Sequence, residues 1–198
     1  MKLFLIAGFL GSGKTTLLLA LARYLADERG RRVCIIVNEI GEVGIDQKIM
    51  ADAGLEVWEL TAGCICCQLT ADLVTTLNEV TGRYHPDVVL VEASGVATPP
   101  GILDALRYYK GEPFAVVETL VLVDPTRLEV LLAVMTPLIT GQITAADRLV
   151  ITKGDVASVD ELAAAQSAVG EYNQHAPVLL VSAGDGAALA PLLDVVGA

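Results

Sequence analysis

The sequence predicts an α/β fold in which a mostly parallel sheet lies between two layers of helices. Segments with the pattern of buried strands alternate with segments of helical apolar spacing along the whole chain. Parallel strands need crossover connections, which the helical segments provide. The chain has 198 residues, of which 54% are hydrophobic and 19% charged, so we expect a single domain over residues 1–198 with a sizeable core.

The first predicted strand, Lys2–Ala7, leads into a glycine-rich loop and then into a helical pattern over Thr16–Glu28. The loop matches the phosphate-binding pattern G-x-x-x-x-G-K-[ST] at every fixed position. In this motif the glycines let backbone N–H groups face a phosphate, the lysine reaches the β- and γ-phosphates, and the final hydroxyl binds Mg²⁺. We therefore predict a P-loop NTPase three-layer sandwich. Its phosphate site comprises Gly8, Gly11, Ser12, Gly13, Lys14, Thr15 and Thr16.

The remaining elements follow from apolar periodicity and from glycine and proline positions. Strands are predicted at Arg32–Asn38, Leu55–Leu60, Asp87–Val91, Phe114–Val123, Arg148–Thr152 and Val178–Val181. Helices are predicted at Leu69–Arg83, from Pro99 to Tyr109, at Thr126–Thr140 with a break before Pro137, at Val159–Tyr172 and at Ala187–Val195. Loops are predicted at Asn38–Asp46 and Thr61–Gln68, and Gln142–Asp147 is interpreted as a link.

Ligands of open parallel sheets bind beyond the carboxyl ends of the strands. The strand Asp87–Val91 is followed there by Glu92-x-x-Gly95. A carboxylate at this place can hold Mg²⁺ through water, and the Gly95 N–H can sense a γ-phosphate. The alternative is a strand-capping glutamate and a turn glycine, but beside a phosphate loop we favour the Mg²⁺ role.

Two later strands end in residues typical of guanine recognition. Thr152-Lys153-Gly154-Asp155 looks like the N-K-x-D signature of GTPases, with threonine in place of asparagine. The Asp155 carboxylate can accept from two guanine donors that adenine lacks, and the Lys153 stem can cover the base. Ser182-Ala183 resembles the element that completes guanine pockets through a backbone N–H. The sequence thus predicts GTP rather than ATP.

The order of these motifs resembles the metal-centre assembly GTPases, and three stretches narrow the resemblance to the CobW-like family. Val37–Asp46 is similar to the family's switch segment, Gly63–Cys67 resembles its C-x-C-C motif, and Gln142-Ile143-x-x-Ala146-Asp147 precedes the guanine strand. The resemblance covers nearly the whole chain. CobW-like proteins usually carry a further C-terminal domain, often His-rich, which we do not find, so functions assigned to that domain are not carried over.

The thiols Cys64, Cys66 and Cys67 form the candidate transition-metal site. Clustered thiolates favour Zn²⁺, Cu(I) or similar ions. Their close spacing makes a closed tetrahedral site difficult, so we expect an open, transfer-type site with a fourth ligand from water, Glu39, another protomer or a client. A chance cluster and a redox pair are the alternatives. Cys34 lies in a predicted core strand and is interpreted as a small buried hydrophobe.

The resemblance also implies a switch that senses Mg²⁺ and the γ-phosphate, with Glu39 or Asp46 as its contact. Together with Lys14 and Glu92 these are the candidate catalytic residues. No arginine finger or water-positioning glutamine is evident, so we expect slow intrinsic hydrolysis, with a homodimer or another partner completing the site.

The net charge of −11 argues against nonspecific binding to nucleic acid or anionic membranes. The longest apolar stretch, Val130–Ile139, falls short of the roughly 20 residues of a membrane span. The apolar N-terminus runs directly into the phosphate loop, so we interpret it as a core strand rather than an export signal. We therefore expect a cytoplasmic protein with reduced thiols.

The sequence is best explained by a GTPase that couples its nucleotide state to binding or delivery of Zn²⁺, Co²⁺ or Ni²⁺, with zinc favoured, for a client metalloprotein or cofactor-assembly enzyme. Three alternatives remain open at this point. They are a metal buffer with a vestigial nucleotide site, a nucleotide-dependent regulator of a corrinoid enzyme or other metalloenzyme, and a small-molecule P-loop kinase. A kinase would need a basic lid, which we do not find.

Overall fold

The fold is a seven-stranded parallel sheet, seen in a computed structural model that describes residues 1–37, 55–59, 67–182 and 186–197. The strands are β1 (Lys2–Gly8), β2 (Val33–Val37), β3 (Glu56–Glu59), β4 (Val88–Glu92), β5 (Val116–Val123), β6 (Arg148–Ile151) and β7 (Val178–Leu180). Their order in the sheet is β3-β2-β4-β1-β5-β6-β7, and every neighbouring pair is parallel. The predicted parallel sheet is confirmed.

Helices cover both faces of this sheet. They are α1 (Lys14–Arg23), extended by a π-helical turn at Tyr24–Glu28, α2 (Cys67–Tyr84), α3 (Pro99–Ala105), extended by a 3₁₀ turn at Leu106–Tyr108, α4 (Leu128–Val134), α5 (Thr136–Thr144), α6 (Val159–Tyr172) and α7 (Gly186–Gly197). Successive residues of a strand point to opposite faces. Leu5 of β1 therefore packs in the layer of α2, and Ile6 packs in the layer of α1 and α7. The three-layer sandwich follows from strands that are apolar on both faces.

Local sequence signals explain several helix boundaries. Helix α6 begins where it was predicted because Ser158 and Glu161 form a reciprocal capping box. The predicted break before Pro137 is confirmed, since α4 and α5 meet at Met135, whose backbone leaves the helical region. Proline lacks the N–H that a continuous helix would need, so it lies in the first turn of α5 instead.

Two predictions about loops were wrong. Gln142 is not part of a link but lies inside α5, because it shares a buried face with Ile139 and Ile143 at helical spacing. Cys67 was predicted in a loop, whereas it is the first residue of α2. Helix α1 also begins earlier than predicted, at Lys14, directly after a glycine with left-handed backbone.

Candidate functional site

The phosphate loop begins where β1 ends, and its backbone depends on glycine. Gly8 has φ 134°, and a Cβ at this residue would lie 2.4 Å from the Leu122 carbonyl oxygen of β5. Gly13 has φ 91°, in the left-handed region, and directly precedes the first residue of α1. Both conformations are unfavourable for residues with a side chain. The loop therefore packs tightly on the sheet, and α1 begins at its last glycine. A helix N-terminus at the end of a glycine loop is a favourable arrangement for binding anions.

The cation and the hydroxyl of the phosphate loop lie at the start of α1. Lys14 is 7% exposed, and its Nζ lies 3.4 Å from the Phe9 carbonyl oxygen. The Thr15 hydroxyl donates to Glu92 Oε1 at 2.8 Å. The two predicted Mg²⁺ residues thus meet across the site, although they come from separate elements. A hydroxyl and a carboxylate are the oxygen donors that Mg²⁺ prefers, so these residues fit the ion.

The turn after β4 packs directly on the phosphate loop. A Cβ at Gly95 would lie 2.8 Å from the Leu10 nitrogen and 3.1 Å from Leu10 Cα. Only glycine permits this approach without a shift of backbone. The predicted γ-phosphate sensor therefore lies against the third residue of the loop that is predicted to hold the triphosphate.

The predicted base-recognition loop contacts the phosphate loop through Thr152. This residue is 5% exposed, and its hydroxyl lies 2.9 Å from the Ser12 carbonyl oxygen and 3.2 Å from that of Val123. A hydroxyl donates one proton, so the shorter contact carries the stronger hydrogen bond. The threonine that replaces the asparagine of the N-K-x-D signature therefore connects the two loops. Ser12 itself has a buried Oγ without a hydrogen-bond partner among the described residues.

Asp155 and Ser182 lie together at this edge, as the sequence predicts for one pocket. The Ser182 hydroxyl donates to Asp155 Oδ1 at 2.8 Å, which orients the carboxylate. Lys153 has φ 55°, which is rare for a residue other than glycine. A costly backbone conformation of this kind is concentrated at functional sites, where the surrounding contacts hold it in place.

Asp124, which the sequence analysis did not single out, anchors Lys153. Its side chain is 3% exposed and accepts from Lys153 Nζ at 2.6 Å, and it also accepts from the Thr126 N–H and hydroxyl. Burial alone would raise the pKa of Asp124. The hydrogen bonds from Lys153 and Thr126 outweigh burial, and the pKa is lowered below its ordinary value of 3.8. The aspartate is therefore charged when the pair forms.

We expect Asp124→Asn to lower the free energy of unfolding by about 2 kcal/mol at pH 7, because a buried charge-assisted hydrogen bond is lost. The folded-state pKa lies below 3.8, so the unfolded chain takes up the proton first as the pH falls. The stabilisation by Asp124 is complete above pH 3.8 and is lost as the pH falls through the folded-state pKa.

Urea unfolding from pH 7 to pH 3 measures this effect. The difference between the wild type and Asp124→Asn should shrink below pH 3.8. Asp160→Asn, an exposed change on α6, is the control and should leave stability nearly unaltered. An Asp124→Asn difference that is constant across this range would contradict the ionised pair.

Arg127 is a second residue that the sequence analysis missed. Its Nη1 donates to the Leu10 carbonyl oxygen at 2.9 Å, and its guanidinium carbon lies 5.8 Å from the centre of the Phe9 ring. The backbone N–H of Arg127 donates to the Asp124 carbonyl oxygen, which closes the turn that follows β5. This turn therefore connects the Lys153 anchor with the outer side of the phosphate loop.

Several predicted site residues lie outside the described residues. They are Glu39, Asp46, Cys64, Cys66 and Ala183, and for Cys67 the structure describes the backbone. Thr16 is exposed on α1. Within the described part of the chain, no group of three or more histidine, cysteine, aspartate or glutamate side chains has a geometry suited to a metal ion.

Cys34 is buried in a core strand, as predicted. Cys34 is 1% exposed in β2, and burial, together with nearby Glu56, raises the pKa of its thiol to about 12. It therefore remains protonated at neutral pH and packs as an apolar group. His85 and His175 are both exposed.

The fold and these contacts define the protein as a P-loop nucleotide-binding domain in which the loops that follow β1 and β6 are joined at one edge of the sheet. The chain belongs to the CobW/HypB/UreG family, whose nucleotide-binding-domain model matches residues 2–180. The resemblance inferred from the motifs is confirmed. Members of this family are P-loop GTPases, so the family supports nucleotide hydrolysis in general.

Two relatives from Escherichia coli (strain K12) carry the name zinc chaperone. YeiR is 37% identical over 152 residues, which cover 76% of this chain and 46% of YeiR. YjiA is 31% identical over 188 residues, which cover 91% of this chain and 57% of YjiA. The chain thus spans about half the length of these curated relatives. A crystal structure of Zn(II)-bound YjiA matches with a TM-score of 0.66 and 26% identity, over 91% of this chain and 57% of that one.

A more distant solved structure supports the fold. The hydrogenase maturation factor HypB from Archaeoglobus fulgidus matches with a TM-score of 0.72 over 98% of this chain and 88% of that one, at 18% identity. Among the described residues, none of the helices combines the length and apolar character of a membrane span.

Proposed function

We propose that this domain binds and slowly hydrolyses GTP, and that its nucleotide state is coupled to binding or delivery of a transition metal, with zinc favoured. The observation that carries the proposal is the hydrogen bond from Thr152 to the Ser12 carbonyl oxygen. It joins the proposed base-recognition loop to the phosphate loop, so that one nucleotide could contact both. A client metalloprotein or cofactor-assembly enzyme and a homodimer are the proposed partners, and the cytoplasm is the proposed location.

Each residue contributes to this chemistry through a contact or position described above. Lys14 provides a buried positive charge for the β- and γ-phosphates, and Gly95 brings a backbone N–H to the same edge. Thr15 and Glu92 would hold Mg²⁺, which neutralises phosphate charge when bound. Asp155, oriented by Ser182, would accept hydrogen bonds from guanine. Lys153, held by Asp124, would cover the base.

The proposed coupling to metal rests on the sheet register. Val37 of β2 pairs with Glu59 of β3 on one side and with Glu92 of β4 on the other. The segment that carries the three clustered cysteines begins directly after Glu59 and ends at the start of α2. It therefore leaves the same sheet edge as Glu92, two strands away. A nucleotide-dependent change at Glu92 would therefore have to cross only β2 to reach the strand that precedes the cysteine segment. The zinc-chaperone names of YeiR and YjiA support zinc as the ion.

A zinc titration of the reduced protein tests the proposal. We expect the zinc affinity, measured by competition with a chromophoric chelator, to differ about 5- to 150-fold between the GDP complex and a non-hydrolysable GTP complex. Zinc should change the relative affinities of the two nucleotides by the same factor, because linkage is reciprocal.

Two variants serve as test and control in this titration. The triple change Cys64→Ser, Cys66→Ser and Cys67→Ser should abolish tight zinc binding. Cys34→Val, which alters the buried thiol of β2, should leave it unchanged. A zinc affinity that is the same with either nucleotide and is unchanged in the triple variant would contradict the coupling. A zinc affinity that is lost in the triple variant but is the same with either nucleotide would indicate a metal buffer.

A further inference from the structure

We propose that Gln142 is a positioning residue that holds the Gly95 turn in the conformation that receives a γ-phosphate. Gln142 is 2% exposed on α5, and its Nε2 donates to the Ala97 carbonyl oxygen at 2.9 Å and lies 3.2 Å from the Gly95 carbonyl oxygen. Its amide group therefore binds both ends of a three-residue stretch. The inference rests on the proposed function, because it assigns a positioning residue to the same site.

The end of helix α5, which carries Gln142, is itself held by contacts on two sides. Asn173, directly after α6, donates through Nδ2 to two carbonyl oxygens at 2.9 Å each, that of Ile143 in the last turn of α5 and that of Ala146 just after this helix. Asp147 accepts from the Thr119 N–H of β5 at 2.8 Å, and its own N–H donates to the Thr119 carbonyl oxygen. These hydrogen bonds tie the end of α5 to the end of α6 and to β5, so Gln142 holds the Gly95 turn from an anchored helix.

The held turn is in contact with the phosphate loop. The Ala97 N–H donates to the Ser94 carbonyl oxygen, so residues 94–97 form a closed turn, and Gly95 packs against the Leu10 backbone. A sensor of the γ-phosphate has to lie beside the phosphate loop when GTP binds. The hydrogen bonds from Gln142 thus favour this docked position before any nucleotide arrives, which lowers the ordering cost of binding GTP.

The chemistry of the site explains why glutamine is suited to this position. Two carbonyl oxygens face the side-chain amide, which has two N–H donors and no charge. A methionine fills a similar volume without donors and would leave both carbonyls without this partner. A glutamate would place an acceptor against two acceptors. Gln142→Met therefore tests the loss of the hydrogen bonds, and Gln142→Glu tests repulsion between the side chain and the two carbonyl oxygens.

Hydrogen–deuterium exchange of the nucleotide-free protein tests the positioning role independently of GTP. We expect Gln142→Met to accelerate exchange in a peptide covering residues 93–98 about tenfold, because two hydrogen bonds to this turn are lost. Gln166→Met, on the exposed face of α6, is the matched control and should leave that peptide unchanged. Unaltered exchange in both Gln142 variants, at melting temperatures that show a folded protein, would overturn the proposal.

Nucleotide binding tests whether Gln142 holds the Gly95 turn in the position that favours GTP. We expect Gln142→Met to weaken a non-hydrolysable GTP analogue about tenfold and GDP less than twofold, because only the triphosphate needs the docked turn. Equal weakening of both nucleotides would indicate a merely structural role, and tighter GTP binding would show that the turn is held away from the γ-phosphate. Either result overturns the proposal. If the wild type does not prefer GTP over ATP, the proposed function fails, while the exchange experiment still decides whether Gln142 holds the turn.

Discussion

Replacing Glu92 with glutamine is expected to lower Mg²⁺-dependent GTP turnover about 100-fold, the size of effect seen when a group that orients a metal site is removed. The Glu92 carboxylate is already 2.8 Å from the Thr15 hydroxyl, and Glu92 pairs in register with Ile6 of β1, close to the start of the phosphate loop. Glutamine keeps the size and one oxygen of the side chain but removes its negative charge. It should therefore weaken the hold on Mg²⁺ without disturbing the strand.

Turnover as a function of Mg²⁺ concentration measures this effect. The Glu92→Gln variant should need more Mg²⁺ for its remaining activity, whereas GDP binding without Mg²⁺ should stay close to that of the wild type. Glu171→Gln, an exposed change near the end of α6, is the control for loss of one carboxylate. If Glu92→Gln hydrolyses GTP at the wild-type rate and with the same Mg²⁺ dependence, Glu92 has no part in the metal site.

The fold could be predicted from sequence because its strands are buried on both faces. Runs such as Val33–Val37 are apolar throughout, which separates them from the helices between them. Helix boundaries were predicted less well where a buried position is occupied by a polar residue. Gln142 was assigned to a link because glutamine lowers the apolar signal of the segment, whereas in the structure its side chain is among the most buried polar groups described.

Residues of the candidate site could be predicted only where they belong to a short motif with fixed spacing along the sequence. The phosphate loop, Glu92-x-x-Gly95 and Lys153-x-Asp155 are patterns of this kind. Asp124 and Arg127 act through contacts with distant residues, and such contacts leave no periodic pattern in the sequence. Gln142 belongs to a stretch that carries the family resemblance, but its contacts with the Gly95 turn could not be predicted from that stretch. The Thr152 hydroxyl, for example, reaches a carbonyl 140 residues away, and Gln142 reaches one 47 residues away. Only the folded sheet edge reveals these partners.

Replacing Asp155 with asparagine is expected to remove the preference for GTP over ATP, with GTP binding weakened at least about 100-fold. In the proposed complex the Asp155 carboxylate would accept from both guanine donors, whereas an asparagine side chain would offer one acceptor and turn an N–H donor toward the second guanine donor. The Ser182 hydroxyl donates to Oδ1 of residue 155, and this hydrogen bond limits rotation of the side chain. The asparagine N–H would therefore stay directed at the guanine donor. Binding of fluorescent GTP and ATP analogues in the presence of Mg²⁺ measures the two affinities.

Xanthosine triphosphate makes the test specific to hydrogen bonding. Xanthine carries a carbonyl where guanine carries its amino group, so the asparagine N–H can donate to it, and Asp155→Asn should bind this nucleotide more tightly than GTP. Asp160→Asn removes the same charge from the exposed start of α6 and should keep the wild-type order of affinities. If the wild type binds ATP as tightly as GTP, or if Asp155→Asn keeps the guanine preference, Asp155 does not read the base. Thr152 then joins the phosphate loop to a surface turn, and the domain has to be assigned another nucleotide.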